Sequence, residues 1–223
     1  MKIAHNLTGI IRSAVFVAGL AILPSVSKAA DNIVVYNTGV DASGQALPGG
    51  SSDPHWTDTY TAGSAAVISE LYPGWTPDST SSAWIGVYDS GTYEPPTPYT
   101  FSETFSLAGL DPLTAQLSGT EWGDDYGTFE LNGHLIDNFG ENWTGNPWSV
   151  NDIGADSGWF NSGANTLTFT MNSSDNFYDG VRLEVAGTAD PLGVPDANSS
   201  AYLLGIALAG IGAIRRAIKT DAR

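Results

Sequence analysis

The chain contains no cysteine. That excludes disulfides, thiolate metal sites and a cysteine nucleophile, so an exported domain of this composition rests on its packed core alone. Basic side chains are almost as scarce, with eight Lys and Arg against 24 Asp and Glu. Lys2, Arg12 and Lys28 stand at one end and Arg215, Arg216, Lys219 and Arg223 at the other. Only Arg182 lies between Ala30 and Gly193, whereas every acid except Asp196 and Asp221 falls there. That interval therefore holds 22 acids and one base, a formal charge of −21. A surface of this sign repels nucleic-acid backbones and acidic polysaccharides, so nucleic acid is excluded as a partner. Catalytic signatures are missing too. There is no Gly-x-Ser-x-Gly elbow, no His-Glu-x-x-His and no phosphate-cradling loop. With so many acids, a carboxylate pair of the kind a glycosidase uses proves nothing. The chain reads as non-enzymatic, with a secreted glycan-active hydrolase as the alternative.

The two ends carry addresses. Residues 1–29 read as a signal peptide, with Lys2 and Arg12 as the basic region, Ser13 to Leu23 as the apolar region and Ser27-Lys28-Ala29 as the small-x-small cleavage pattern. Residues 191–223 read as a membrane tail. Val194-Pro195-Asp196 is followed by the polar Ala197-Asn198-Ser199-Ser200, an uncharged run from Ala201 to Ile214, and Arg215-Arg216. Fourteen apolar residues give about 21 Å of helix, short for a bilayer core of about 30 Å. The tail suits a transient membrane hold better than a permanent anchor.

Between them, residues 30–190 have almost no helical periodicity. Tyr99, Phe101, Phe105 and Leu107 alternate with Thr and Ser, Leu113, Ala115 and Leu117 with Thr114 and Gln116, and Leu167, Phe169 and Met171 with Thr. Val181, Leu183 and Val185 alternate with Arg182 and Glu184, and Ile33–Tyr36 and Trp84–Tyr88 are further strand candidates. Period two marks half-buried antiparallel strands. Asn132-Gly133 between two apolar runs is a two-residue hairpin signal. Residues 39–54 and 141–163 read as long loops, the second dense in aromatic residues. The expected fold is all-β, a jelly-roll β-sandwich flanked by the signal peptide and a hydrophobic sorting helix.

Two resemblances bear on these segments. The tail, on Val194, Pro195, Asp196, Arg215 and Arg216, resembles PEP-CTERM sorting signals, most closely the VPDSG-CTERM variant. That resemblance implies a substrate of exosortase, a membrane-embedded cysteine transpeptidase of exopolysaccharide-producing Gram-negative bacteria. It further implies insertion in the inner membrane during sorting, then delivery to the cell surface or extracellular matrix. The segment from Trp122-Gly123-Asp124-Asp125 through Thr128–Gly133, resuming at Phe160 and Gly163–Phe169, resembles galactose-binding-like jelly rolls. That implies a possible carbohydrate partner, such as extracellular polysaccharide. The alternative is a purely structural matrix protein held by its C-terminal helix.

Sugar recognition needs flat aromatic faces beside planar polar groups. Trp122, Asp124, Asp125, Trp143 and Trp148 supply both and are the candidate carbohydrate-binding residues, the last two as loop aromatics. Asp175, Asp179 and Glu184 are the candidates for calcium (Ca2+), although no stretch has EF-hand spacing. Glu103 falls on the apolar face of its strand. A carboxylate buried there must be paired, protonated or metal-bound; either it meets Arg182, or a bulge turns it outward.

Overall fold

The computed structural model describes residues 29–90, 98–151, 157–172, 177–193 and 204–211. The domain among them is all-β. Eleven strands form one ladder: β1 (Asp31–Asn32), β2 (Ser52–Asp58), β3 (Gly63–Val67), β4 (Ile85–Gly86), β5 (Tyr99–Ser106), β6 (Gln116–Asp124), β7 (Tyr126–Leu131), β8 (His134–Phe139), β9 (Asn142–Asn151), β10 (Ala164–Asn172) and β11 (Gly180–Ala189). Their spatial order is β8-β7-β10-β5-β2-β3-β4-β11-β6-β9, with β1 beside β11, and every pairing is antiparallel.

The ladder folds over between β2 and β3, so that its two halves bury their apolar faces on each other. Trp56, Phe101, Phe129, Leu167 and Phe169 come from one half, and Val67, Ile85, Leu117, Trp148, Val181 and Leu183 from the other; all belong to a single core cluster. Phe129 stacks on Phe169 at 4.4 Å and meets Trp148 edge-on at 5.0 Å across the two halves. The alternating stretches of the sequence form β5, β10 and β11 in unbroken register. Asn132 and Gly133, at φ 51° and 80°, make the tight hairpin between β7 and β8. Asn132 also donates to Trp159 O (2.7 Å) and Asn165 Oδ1 (2.8 Å), locking the hairpin to the turn that starts β10.

Several expectations are corrected. Residues 141–163 are not one long loop, because Asn142–Asn151 is β9. β9 lies at the end of the spatial order, where Pro147 costs no interior ladder bond. Ile33–Tyr36 is not a strand; pairing stops at Asn32. Pro112–Thr114 is a 3-10 turn capped by Asp111, which leaves Leu113 exposed and starts β6 at Gln116. Of the tail, the described residues 204–211 are helical, and among the described residues no helix is long and apolar enough to cross a membrane. The signal peptide, apart from Ala29, and Val194, Pro195, Asp196, Arg215 and Arg216 lie outside the described residues.

Both ends of the domain leave at one pole. Asp31 pairs with Ala189, and Leu192 N–H donates to Gly109 O at 2.9 Å. The opposite pole is about 30 Å away, the length of β11 at 3.3 Å per residue.

Candidate functional site

At that far pole the chain repeatedly crosses from one half of the ladder to the other. Asp125 alone joins β6 to β7, and Gly140-Glu141 joins β8 to β9. Phe177 and Tyr178 lead into β11, and Tyr72 comes from the connection between β3 and β4. These corners surround a cleft of about 180 Å³ lined by Tyr72, Asp124, Asp125, Glu141, Trp143, Phe177 and Tyr178. Three carboxylates and four aromatic rings thus share one opening. The Asp124–Asp125 peptide is cis.

Aromatic packing holds the rim. Tyr72 meets Trp143 at 5.1 Å and Tyr178 at 5.2 Å. Beneath them Trp75 stacks on Trp84 at 4.1 Å and donates from its indole N–H to Asp124 Oδ2 at 2.6 Å. The Trp143 carbonyl accepts from Thr76 N–H (3.1 Å) and Thr76 Oγ1 (2.5 Å), which fixes the ring's backbone. Burial pushes the Asp124 carboxyl up to about 6, against the pull of the Trp75 N–H and with help from the charges of Asp125 and Glu141. Near pH 6, Asp124 can hold or release a proton inside an aromatic-walled cleft. Asp179, one residue beyond the lining, is buried and accepts from Tyr99 Oη at 2.6 Å.

Of the sequence candidates, Asp124, Asp125 and Trp143 come together here. Trp122 and Trp148 do not. Trp122 is 6% exposed, lies under the Arg182 guanidinium at 4.4 Å, and is covered at its indole edge by Gly145. Gly145 has φ 88°, and a Cβ there would sit 2.6 Å from the Trp122 indole nitrogen. Trp148 is 8% exposed and faces Phe129 in the core, because β9 pairs with β6 and turns Trp148 and Val150 inward. Neither ring offers a face to a sugar.

Of the calcium candidates, the two among the described residues, Asp179 and Glu184, do not come together. Glu184 Oε1 is taken by Arg182 Nη2 (2.9 Å), Ser82 Oγ (2.7 Å) and Ser79 Oγ (3.0 Å). Asp179 stands instead at the far pole with Tyr99, and Asp175 lies outside the described residues. Among the described residues no group of three His, Asp or Glu side chains is placed to hold a metal ion.

Glu103 follows neither expected course. β5 is unbroken, so no bulge turns the side chain out, and Arg182 is engaged with Glu184, Ser82 and Pro77 O. Glu103 is 3% exposed, and its Oε1 accepts from Tyr36 N–H at 2.8 Å. Burial pushes it up to about 8, despite that hydrogen bond and helped by Asp53. It therefore stays protonated at neutral pH. Glu121 is a second buried acid, one that the strand pattern did not single out. Burial raises it to about 7, opposed by Asn146 and reinforced by Asp137.

No protein-family model matches the chain. No curated protein matches it either. Among solved structures it is similar to the apo form of a cyclase from Fischerella sp., with 14% identity, a TM-score of 0.42, and coverage of 74% of this chain and 98% of that one. The expectation that the chain is not an enzyme is corrected by this finding, since the similar structure belongs to an enzyme; at that identity and TM-score it transfers no activity.

Proposed function

We propose that this is an exported jelly-roll protein that presents its far-pole cleft to carbohydrate at the cell surface or in the extracellular polysaccharide matrix. One observation carries the reading. Asp124, Asp125 and Glu141 meet Tyr72, Trp143, Phe177 and Tyr178 in one cleft, at the pole opposite the one where both tails leave. A pyranose has an apolar C–H face and a rim of hydroxyls. Rings can stack on the first, and carboxylates accept from the second. The charge of the domain favours a neutral or cationic glycan over an acidic one. A tail held in the membrane would leave the cleft facing away from it.

A glycan array probed with the full chain, with and without Ca2+, tests this reading. Trp143→Ala should reduce the strongest glycan signal about tenfold or more, the equivalent of ~1.4 kcal/mol. The variant should remain folded, since Trp143 is only half-buried. Unchanged binding by Trp143→Ala would remove the cleft from the argument. Asp124, held near 6 inside the cleft, favours a second reading, acid-catalysed cleavage of the bound glycan. Release of shorter products by wild type but not by Asp124→Asn would select it over binding alone.

The tail supports delivery by exosortase-type sorting, on Val194-Pro195-Asp196, the apolar run and Arg215-Arg216. Arg215-Arg216 would hold the C-terminus in the cytoplasm and leave the domain outside. The mature protein is expected to lack the tail, with cleavage close to Val194-Pro195-Asp196. Intact-mass measurement on the surface or secreted form checks this: a terminus still at Arg223 would leave a plain anchor.

A further inference from the structure

The far-pole cleft has a shape that a flat sugar platform lacks. Tyr72 meets Trp143 with the ring planes 60° apart and Tyr178 with the planes 58° apart, and Phe177 meets Tyr178 at 4.8 Å and 82°. Rings set at such angles turn their faces in different directions and make a corner rather than one plane. A pyranose face needs only one of them, and the others are left to surround a compact substituent. Glu141 is exposed, which sets its carboxylate at the mouth, whereas Asp124 and Asp125 are buried deeper in the lining. The three acids act on one another: burial, and then the charges of Asp125 and Glu141, push the Asp124 carboxyl up to about 6.

No base of the domain answers these charges. Arg182, the one Arg or Lys between Ala30 and Gly193, lies over the Trp122 ring and is bonded to Glu184, Ser82 and the Pro77 carbonyl. A ligand that brings a positive charge relieves a repulsion that the chain itself leaves in place. A bare metal ion is a poor fit, because among the described residues no three acids are placed to hold one. An organic cation suits the cleft better. It is larger and more weakly hydrated, and aromatic faces within about 6 Å attract it through their negative π-clouds. The aromatic walls and the carboxylates therefore select the same chemistry.

We propose that the far-pole cleft selects amino sugars: the protonated amino group of a glucosamine unit enters between Tyr72, Trp143 and Tyr178 and donates to Glu141 and Asp124. The Phe177 ring, 55% exposed, takes the C–H face of the sugar. The proposal rests on the carbohydrate reading of the same cleft and adds its substrate class, a glycan with free amines rather than acetylated or acidic ones. A chain of such units is polycationic, so the acidic surface around the cleft also speeds its capture.

Titration calorimetry on the full chain at pH 6 tests it, with β-linked oligomers of glucosamine and of N-acetylglucosamine of equal length. The two probes share a backbone and differ in charge. The glucosamine oligomer should bind at least about tenfold more tightly, as a charge-assisted hydrogen bond requires. Glu141→Gln, at an exposed position, should weaken the glucosamine oligomer about three- to fivefold and leave the N-acetylated one unchanged. Asp31→Asn removes the same charge at the tail pole, where Asp31 is exposed, and should change neither. Trp143→Ala should weaken both. Equal or tighter binding of the N-acetylated oligomer, lost in Trp143→Ala, would overturn the amino-sugar preference and leave the carbohydrate reading standing. A fall in Asp31→Asn equal to that in Glu141→Gln would mean that the cation samples the whole acidic surface. Unaltered binding of the glucosamine oligomer by Trp143→Ala would place it outside the cleft. Either result overturns the proposal, and so does failure of the glucosamine oligomer to bind. In that last case a neutral glycan bound on the array would still support the carbohydrate reading, whereas an array without signal would remove both.

Discussion

Glu103→Gln should stabilise the domain at pH 8 by about 2–4 kcal/mol and flatten its loss of stability with rising pH. An ordinary glutamate titrates near 4.5, and burial moves Glu103 up to about 8. Between those values the folded chain keeps a proton that the unfolded chain has released. Stability then falls as pH rises, because the native state binds more protons. The favourable difference is complete below pH 4.5 and is lost as pH passes through about 8. Each pKa unit corresponds to about 1.4 kcal/mol, so the full shift sets an upper limit of roughly 5 kcal/mol; relaxation and water entry reduce it. Glu121, raised to about 7, and Asp124, raised to about 6, add declines of the same sign in lower windows. Glutamine has the same shape, still accepts from Tyr36 N–H and carries no charge to desolvate. Urea denaturation of wild type and Glu103→Gln at pH 5 and pH 8 checks this. The variants should lie within about 1 kcal/mol at pH 5, where Glu103 is neutral in the fold, and diverge at pH 8. A variant less stable than wild type at pH 8 would mean that Glu103 is ionised and paired.

This carboxyl also shows how far the sequence could be read. Alternation placed Glu103 on the inward face of Tyr99–Ser106, and that placement holds. Of the courses the sequence leaves open to this carboxyl, the ion pair and the bulge keep the charge and protonation gives it up. Desolvation removes the charge, and depends on depth of burial, which a residue pattern does not encode. β5, β10, β11 and the Asn132-Gly133 hairpin were legible because apolar residues alternate cleanly along them or because the turn demands positive φ. β2 and β3 were not. The inward positions of β2 include Asp53 and Asp58, and Ala65 shares the inward face of β3 with Val67. Their burial comes from the second half of the ladder rather than from their own hydrophobicity. The far-pole cleft was legible in part. Asp124 and Asp125 are neighbours in sequence, and Trp143 follows within the same stretch. Tyr72, Glu141, Phe177 and Tyr178 reach the cleft from other corners, and only the crossing of strands between the two halves brings them there.

Trp148→Ala should cost about 3–5 kcal/mol, several times the effect of Trp143→Ala, although the two rings are five residues apart and read alike in sequence. The difference lies in what each ring touches. Trp148 is buried, belongs to the main core cluster, and meets Phe129 edge-on at 5.0 Å with the planes 77° apart. It ties β9, at one end of the ladder, to β7 near the other, so its loss opens a cavity between the two halves. The edge-to-face pair itself is worth about 0.5–1.5 kcal/mol beyond area burial. Trp143 is half-buried at the cleft rim and packs on Tyr72, so truncation there removes contacts without opening the core. A further substitution separates packing from hydrogen bonding. The Trp148 indole N–H is buried without a partner, so Trp148→Phe removes an unsatisfied donor while keeping most of the ring. It should cost no more than about 1–2 kcal/mol, since the smaller cavity is offset by relief of the unmade hydrogen bond. Denaturation midpoints of the three variants give the order directly: Trp148→Ala far below wild type, Trp143→Ala and Trp148→Phe close to it. If Trp148→Ala unfolds no more readily than Trp143→Ala, Trp148 does not bridge the two halves of the ladder, and the packing of β9 against β7 is wrong.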